Sequence, residues 1–240
     1  MTHLKYYDDP YLKELQCTVT EVYQDGFCLD QTIVFGRSCG VKPDTGEFKA
    51  LDVIYNIIGR REEGNKIIHL VEGDVPEIGI HGTLTINWEK RLSMMQLHTT
   101  LHILSSIIWK EYDVLVTGSD ITPEKAKIDF DMERNFTKEE LQSLEDRTNK
   151  IIVEGHSITS GVISPEEAKK VHGFIRSKTN IIPKGITELR YTKIEDVDMQ
   201  ADGGIHVRST SEVGGIKITK QKNKGKGRRR LEVILSGRAP

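Results

Sequence analysis

From about residue 16 to residue 88, apolar and polar positions alternate over short stretches, the period of strands that bury one face. Residues 17–23 and 27–35 are rich in β-branched and aromatic side chains and flank Asp25-Gly26, which predicts a hairpin with a two-residue turn. In that register Cys28 faces Tyr23 and Cys17 faces Val34. Further strands fit 49–58, 66–71 and 82–88, separated by Gly59-Arg-Arg-Glu-Glu-Gly64 and by Gly73 with Pro76. Short strands, glycine turns and no long helix predict a small β-barrel.

The period changes near 89–91. Ser93 with Gln96 three residues later forms a capping-box pattern, and Leu97, Leu101, Leu104 and Ile108 then recur at helical spacing up to about Trp109. Strands follow at 114–117 and 125–131, where Ala126, Ile128 and Phe130 alternate with charges. A second helix opens on Thr137 and Glu140, runs on Leu141, Leu144, Ile151 and Ile152, and stops at Gly155. Ser164-Pro165-Glu166-Glu167 starts a third, short one with proline at the favoured first position. Strands return at 215–220 and 231–235 around a basic loop. The predicted class is α+β, a small N-terminal β-barrel domain over 1–90 followed by an α+β domain over 91–240.

Composition narrows the function. A chain of 240 residues has room for one large domain or two modest ones. Its net charge of −2 excludes a globally basic nucleic-acid binder, so local basicity must carry any such role. The apolar stretches are too short to span a bilayer and the first residues lack the apolar core of a signal peptide, so a cytoplasmic protein without a membrane partner is expected. Cys17, Cys28 and Cys39 are odd in number and contain no Cys-x-x-Cys pair, which favours reduced, half-buried thiols.

The chemistry concentrates in two segments about a hundred residues apart. His98 and His102 stand four apart on a predicted helix, so both imidazoles can converge on one ion. Such a pair alone is more often ordinary core or surface than a ligand pair. The second segment shifts the balance: Asp202 and His206 can add two ligands, and Gly203 and Gly204 let the backbone pass close to an ion or substrate. Zinc accepts imidazole and carboxylate ligands and activates water for hydrolysis of an ester or amide. Thr99 occupies the place of the general base in His-Glu-x-x-His, which disfavours a peptidase and favours an activated ester. Lys220, Lys222, Lys224, Lys226, Arg228, Arg229 and Arg230 make seven cations among eleven residues, either a phosphate-binding loop or a solvated hairpin tip. His3, His69, His81, His156 and His172 have no ligand-like companions.

Arg91 to Leu104, Gly118-Ser119, Asp129-Phe130 and the late Asp202-Gly-Gly-Ile-His-Val-Arg-Ser-Thr-Ser-Glu-Val-Gly214 resemble the trans-editing alanyl-tRNA deacylases called AlaX and the editing domain of alanyl-tRNA synthetase. Thr32 to Gly46 matches in length a family segment with a triple glycine, a glutamine and Asp-Thr-Gly, so the resemblance covers nearly the whole chain and points to the medium-length form with an N-terminal barrel. It argues against the threonyl-tRNA editing domain, which lacks that barrel.

The resemblance implies ATP-independent hydrolysis of the ester between a wrong amino acid, chiefly serine and secondarily glycine, and tRNA(Ala). It implies Zn2+ held by two helix histidines and a Cys-x-x-x-His pair, here His98, His102, Asp202 and His206, with the three histidines as the catalytic centre. Asp202 stands where the family commonly has Cys, and Ile205 replaces a threonine beside the last His, so amino-acid contacts are expected at Gly203, Gly204 and Ile205. Ser38-Cys39-Gly40-Val41 replaces the three glycines and glutamine. The basic run is the expected tRNA contact, and no protein partner is predictable. Two rivals remain: a catalytically inactive tRNA-binding module with a structural metal, and a metallohydrolase of a small ester.

Overall fold

The computed structural model describes residues 2–178, 185–225 and 227–237. They group into two compact units, one of the residues up to Ser38 with Lys42–Leu92, the other of Cys39–Val41 with the residues from Ser93 on. In the first, the strands are β1 (His3–Leu4), β2 (Glu14–Tyr23), β3 (Gly26–Leu29), β4 (Gln31–Thr32), β5 (Gly46–Ala50), β6 (Val53–Glu63), β7 (Lys66–Val71) and β8 (His81–Ile86). Six of them close a barrel in the order β2-β3-β7-β6-β5-β8, as the alternation predicts. Val19, Phe27, Leu29, Ile33, Phe48, Ile57 and Leu84 fill it.

The register differs from the expected one. Tyr23 pairs with Gly26 and Glu21 with Cys28, so the turn is Gln24-Asp25, one residue earlier than Asp25-Gly26, and Cys28 faces Glu21. Gly26 belongs to the strand because a Cβ there would lie 2.2 Å from the His69 carbonyl oxygen on β7. Cys17 faces Gly82 on β8 instead of Val34. The stretch 49–58 is not one strand: Ala50 pairs with Val53, and Leu51 turns the chain at a φ of 54°. Gly59 interrupts nothing, because an irregularity between Ile57 and Gly59 absorbs it and β6 runs on to Glu63. None of the three cysteines forms a disulfide among the described residues; Cys17 and Cys28 are buried and Cys39 is exposed.

The helix α1 (Trp88–Tyr112) begins five residues before the predicted Ser93. Asn87 caps it, its side-chain oxygen accepting the Lys90 N–H at 3.1 Å. From Met94 to Leu104 almost every side chain is buried, so α1 is a core helix and not an amphipathic one. After it come β9 (Val116–Ile121), β10 (Ala126–Asp131), α2 (Lys138–Glu154), β11 (Ile158–Ile163), α3 (Pro165–Ala168), β12 (Leu189–Ile194), β13 (Asp198–Ala201), β14 (Ile216–Asn223) and β15 (Arg228–Leu235). Among the described residues of this unit the strands form the sheets β14-β15-β10-β9 and β11-β12-β13. The caps of α2 are the predicted ones, Thr137 with Glu140 at the start and Gly155, at a φ of 74°, at the end. Ser164 and Glu167 likewise cap α3. Strands β14 and β15 absorb most of the basic run, leaving only a short connection where a loop was expected. Among the described residues no helix is long and apolar enough to cross a membrane.

Candidate metal centre

Helical periodicity puts His98 and His102 on one face of α1, and pairing of β13 with β12 delivers the segment that follows β13 to that face. Within it, the backbone N–H of Asp202 is fixed by the Arg190 carbonyl at 3.0 Å. The result is a cluster of His98, His102, Asp202 and His206, all buried, each offering a ligand atom within 4.8 Å of the others. Nε2 of His206 lies 2.9 Å from Oδ2 of Asp202. Nε2 of His98 and of His102 lie 3.6 and 3.8 Å from Oδ1. These separations bracket the ~3.4 Å between ligand atoms that tetrahedral bonds of ~2.1 Å impose.

The rings pack on each other. His98 and His206 stack with centroids 4.2 Å apart, and His102 meets both edge-on. Gly204 makes room for this, because a Cβ there would lie 2.2 Å from Cε1 of His98. Its amide also donates to Oδ2 of Asp202 at 3.0 Å, and the Thr192 hydroxyl donates to the same oxygen at 3.3 Å.

Each ring nitrogen that faces away from the cluster has a partner. Nδ1 of His98 donates to the Ile205 carbonyl at 3.4 Å. Nδ1 of His206 meets the Thr99 hydroxyl at 3.1 Å. Nδ1 of His102 lies 3.0 Å from Nε2 of Gln200. Thr99, Thr192 and Gln200 are therefore part of the site, and the sequence pattern did not assign them. Its one hint was Thr99, which adjoins His98 and stands in the general-base place of His-Glu-x-x-His.

Electrostatics favour a cation here. Burial pushes the His98 imidazole well below its ordinary pKa, and neighbouring His206 adds to the effect. His206 is lowered by burial first and then by His102. Burial opposes ionisation of Asp202, but His98, His102 and His206 outweigh it and hold the carboxyl well below the usual carboxylate range. A buried carboxylate faced by imidazoles is costly to leave uncompensated, and a divalent cation resolves that cost. Three nitrogens and one oxygen form a donor set that suits zinc and harder divalent ions, so the residues fit a metal.

The remaining predicted residues have varied settings. Ile205 is buried and uses its carbonyl to orient His98. Lys220 and Lys222 lie on β14, and both are exposed, as are Lys224 and Arg228. Lys222 pairs with Glu232 at 2.6 Å. Arg229 is buried and bonds the Glu133 carbonyl and Asn223. Arg230 grips Asp129 through Nε at 2.6 Å and Nη2 at 2.7 Å. Lys226 lies outside the described residues. His69 is buried in the barrel, and His156 pairs with Glu154.

The chain has relatives. It is 32% identical to the alanyl-tRNA editing protein AlaX-M of Methanosarcina mazei, over 100% of this chain and 98% of that protein. AlaX-M of Saccharolobus solfataricus is 32% identical over 96% of this chain and 98% of its own length. The alanine–tRNA ligase of Methanococcus aeolicus is 33% identical over 96% of this chain, which spans 25% of the ligase. A sequence family described as the threonyl and alanyl tRNA synthetase second additional domain matches residues 189–232, the stretch that contains Asp202 and His206.

Proposed function

Because the chain belongs to the AlaX family of alanyl-tRNA editing proteins, and is thereby an enzyme, we propose that it hydrolyses the ester of mischarged tRNA(Ala) in trans, without ATP. Ser-tRNA(Ala) is the main substrate and Gly-tRNA(Ala) a second. The observation that carries this reading is the buried convergence of His98, His102, Asp202 and His206. These four residues would hold Zn2+. The bound ion would polarise the ester carbonyl or lower the pKa of a water from about 15.7 toward about 7.

The chain's own groups do the rest. Asp202 supplies the negative charge that a cysteine thiolate would otherwise bring, and Gly204 and Thr192 fix its Oδ2 by hydrogen bonds. Thr99 and the Ile205 carbonyl hold the outer nitrogens of His206 and His98, so that their Nε2 atoms face inward. Exposed cations on the β14–β15 hairpin contact tRNA phosphates. A site that hydrogen-bonds the serine hydroxyl rejects alanine, which would leave that polar group unpaired, by a factor that can reach roughly 10⁴ to 10⁵. A cytoplasmic location follows from the tRNA substrate.

The test is release of serine from Ser-tRNA(Ala) by catalytic amounts of protein, with Ala-tRNA(Ala) as the control. Multiple turnovers on serine with alanine spared, lost on chelation and restored by zinc, are expected. A folded, zinc-loaded sample that binds tRNA and releases nothing overturns the proposal in favour of a binding module.

A further inference from the structure

His102 differs from its two companions in what its outer nitrogen meets. His98 and His206 have oxygens there, the Ile205 carbonyl and the Thr99 hydroxyl, each able to accept a ring N–H. His102 has Gln200. Which end of that amide faces His102 is settled by a third residue. The same Gln200 atom lies 2.7 Å from Oδ2 of Asp198. The Asp198 carboxylate is ion-paired through Oδ1 with Arg176 and offers only acceptors, so the atom beside it must be the NH2 group. One of its hydrogens goes to Asp198. The other points at Nδ1 of His102, 3.0 Å away, with the Ser105 hydroxyl more distant at 3.4 Å.

Nδ1 of His102 is therefore an acceptor, and the proton of the neutral ring sits on Nε2, which faces Asp202. The relay behind it is well anchored. Asp198 and Arg176 are both buried, and the Arg176 guanidinium lies 4.4 Å over the Trp109 ring of α1. An imidazole that ligates a metal through Nε2 ordinarily donates its other N–H to an acceptor, and His102 is arranged the opposite way.

We propose that the Arg176–Asp198–Gln200 relay holds His102 of the metal-free protein in its Nε2–H form: His98 and His206 each have an oxygen at Nδ1 that can take the ring N–H when Nε2 binds a cation, whereas His102 has none until the Gln200 amide turns. Gln200 is thus a positioning residue that weakens the metal site and makes its ion exchangeable. This rests on the metal-site reading above.

The first test is nitrogen-15 NMR of the imidazoles in the metal-free protein at pH 8. His102 is expected to carry its proton on Nε2 and His98 on Nδ1, while His206, whose Nε2 meets Oδ2 of Asp202 at 2.9 Å, does not discriminate. A proton on Nδ1 of His102 overturns the proposal. The second is zinc affinity by competition with a chromophoric chelator for the wild type and Gln200→Leu. The variant keeps the Arg176–Asp198 pair but removes the donor, and is expected to bind zinc about tenfold more tightly. Removing an ordinary supporting partner would instead weaken binding about 10–100-fold, and that result also overturns it. Failure of the wild type to bind zinc counts against the metal-site reading, while the tautomer spectrum still decides this one.

Discussion

Gly204 and His98 occupy almost the same space: a Cβ on residue 204 would lie 2.2 Å from Cε1 and 2.6 Å from Nδ1 of the imidazole. His98 in turn stacks on His206, so one methyl group at 204 would disturb two rings of the cluster. Gly204→Ala is expected to stay folded, at an overpacking cost of about 1–3 kcal/mol. Its zinc affinity should fall at least about tenfold. Unchanged affinity in a chelator competition would show that the ring does not have to stay where it is.

Among the described residues, Asp202 is the only carboxylate in the cluster. Asp202→Asn keeps the shape and removes the charge, so zinc bound per chain should drop well below one equivalent at micromolar protein while secondary structure is retained. Asp202→Cys restores a charged ligand and should restore the metal. Metal analysis after gel filtration reads both. Full occupancy in Asp202→Asn would remove Asp202 from the ligand set.

The cations of the β14–β15 hairpin divide into two kinds. Lys220, Lys224 and Arg228 are exposed, whereas Arg230 is spent on Asp129. Replacing the first three by Ala should weaken tRNA binding and flatten its dependence on log salt by up to about 0.9 for each duplex phosphate that is no longer neutralised. Arg230→Ala should instead cost about 1–3 kcal/mol of stability by leaving Asp129 unpaired. Salt titrations of tRNA binding and urea unfolding separate the two. An unchanged salt slope in the triple variant would place the tRNA elsewhere.

How well the chain could be read followed how local each signal is. The caps of α2 lie within a few residues of each other and were legible; so was the cluster, because His98 with His102 and Asp202 with His206 are each four apart. The start of α1 was missed because Asn87 caps it and the helix is buried nearly all round, which erases the periodic stripe. The hairpin register slipped because Gly26 serves a close approach to β7, at His69 far along the chain, and not the turn. Thr99, Thr192 and Gln200 became visible only once α1 and β12–β13 came together, since no spacing rule connects residue 99 with 206 or 200 with 102.

Arg91 of the barrel unit is fully buried with Asp44. Its Nε reaches both carboxylate oxygens at 3.1 and 3.0 Å, Nη1 bonds the Pro10 carbonyl at 2.9 Å, and Nη2 bonds the Ile33 carbonyl. Asp44→Ala leaves a guanidinium buried without its counter-charge and should cost about 3–5 kcal/mol. Arg91→Lys keeps the charge but not the planar fork and should also destabilise. If the urea midpoint of Asp44→Ala moved by less than about a tenth, the pair would carry little of the barrel's stability.

His69 makes that same barrel sensitive to acid. Nδ1–H of His69 donates to the Phe27 carbonyl at 3.2 Å, so Nε2 of the neutral ring accepts from the Thr32 hydroxyl at 2.7 Å, and the Thr32 oxygen accepts the Val34 N–H at 3.0 Å. The neutral ring is satisfied at both ends, and a second proton on Nε2 would force the Thr32 hydroxyl to turn away. Burial lowers its pKa from 6.5 to about 4. As pH falls through that window the unfolded chain takes up a proton that the folded one refuses, so the contribution of His69 is complete above pH 6.5 and is lost on the way down to about 4. The loss amounts to about 3 kcal/mol, at about 1.4 kcal/mol per pH unit. His98 and His206 are lowered too and act in the same direction, so the wild-type curve alone does not assign the effect. His69→Gln does, because it keeps a neutral hydrogen-bonding group and deletes one titration. Urea unfolding of the metal-free wild type and variant at pH 7, 5.5 and 4.5 should show the two stabilities converging as the pH drops. Parallel curves would mean that His69 can be protonated without opening the barrel.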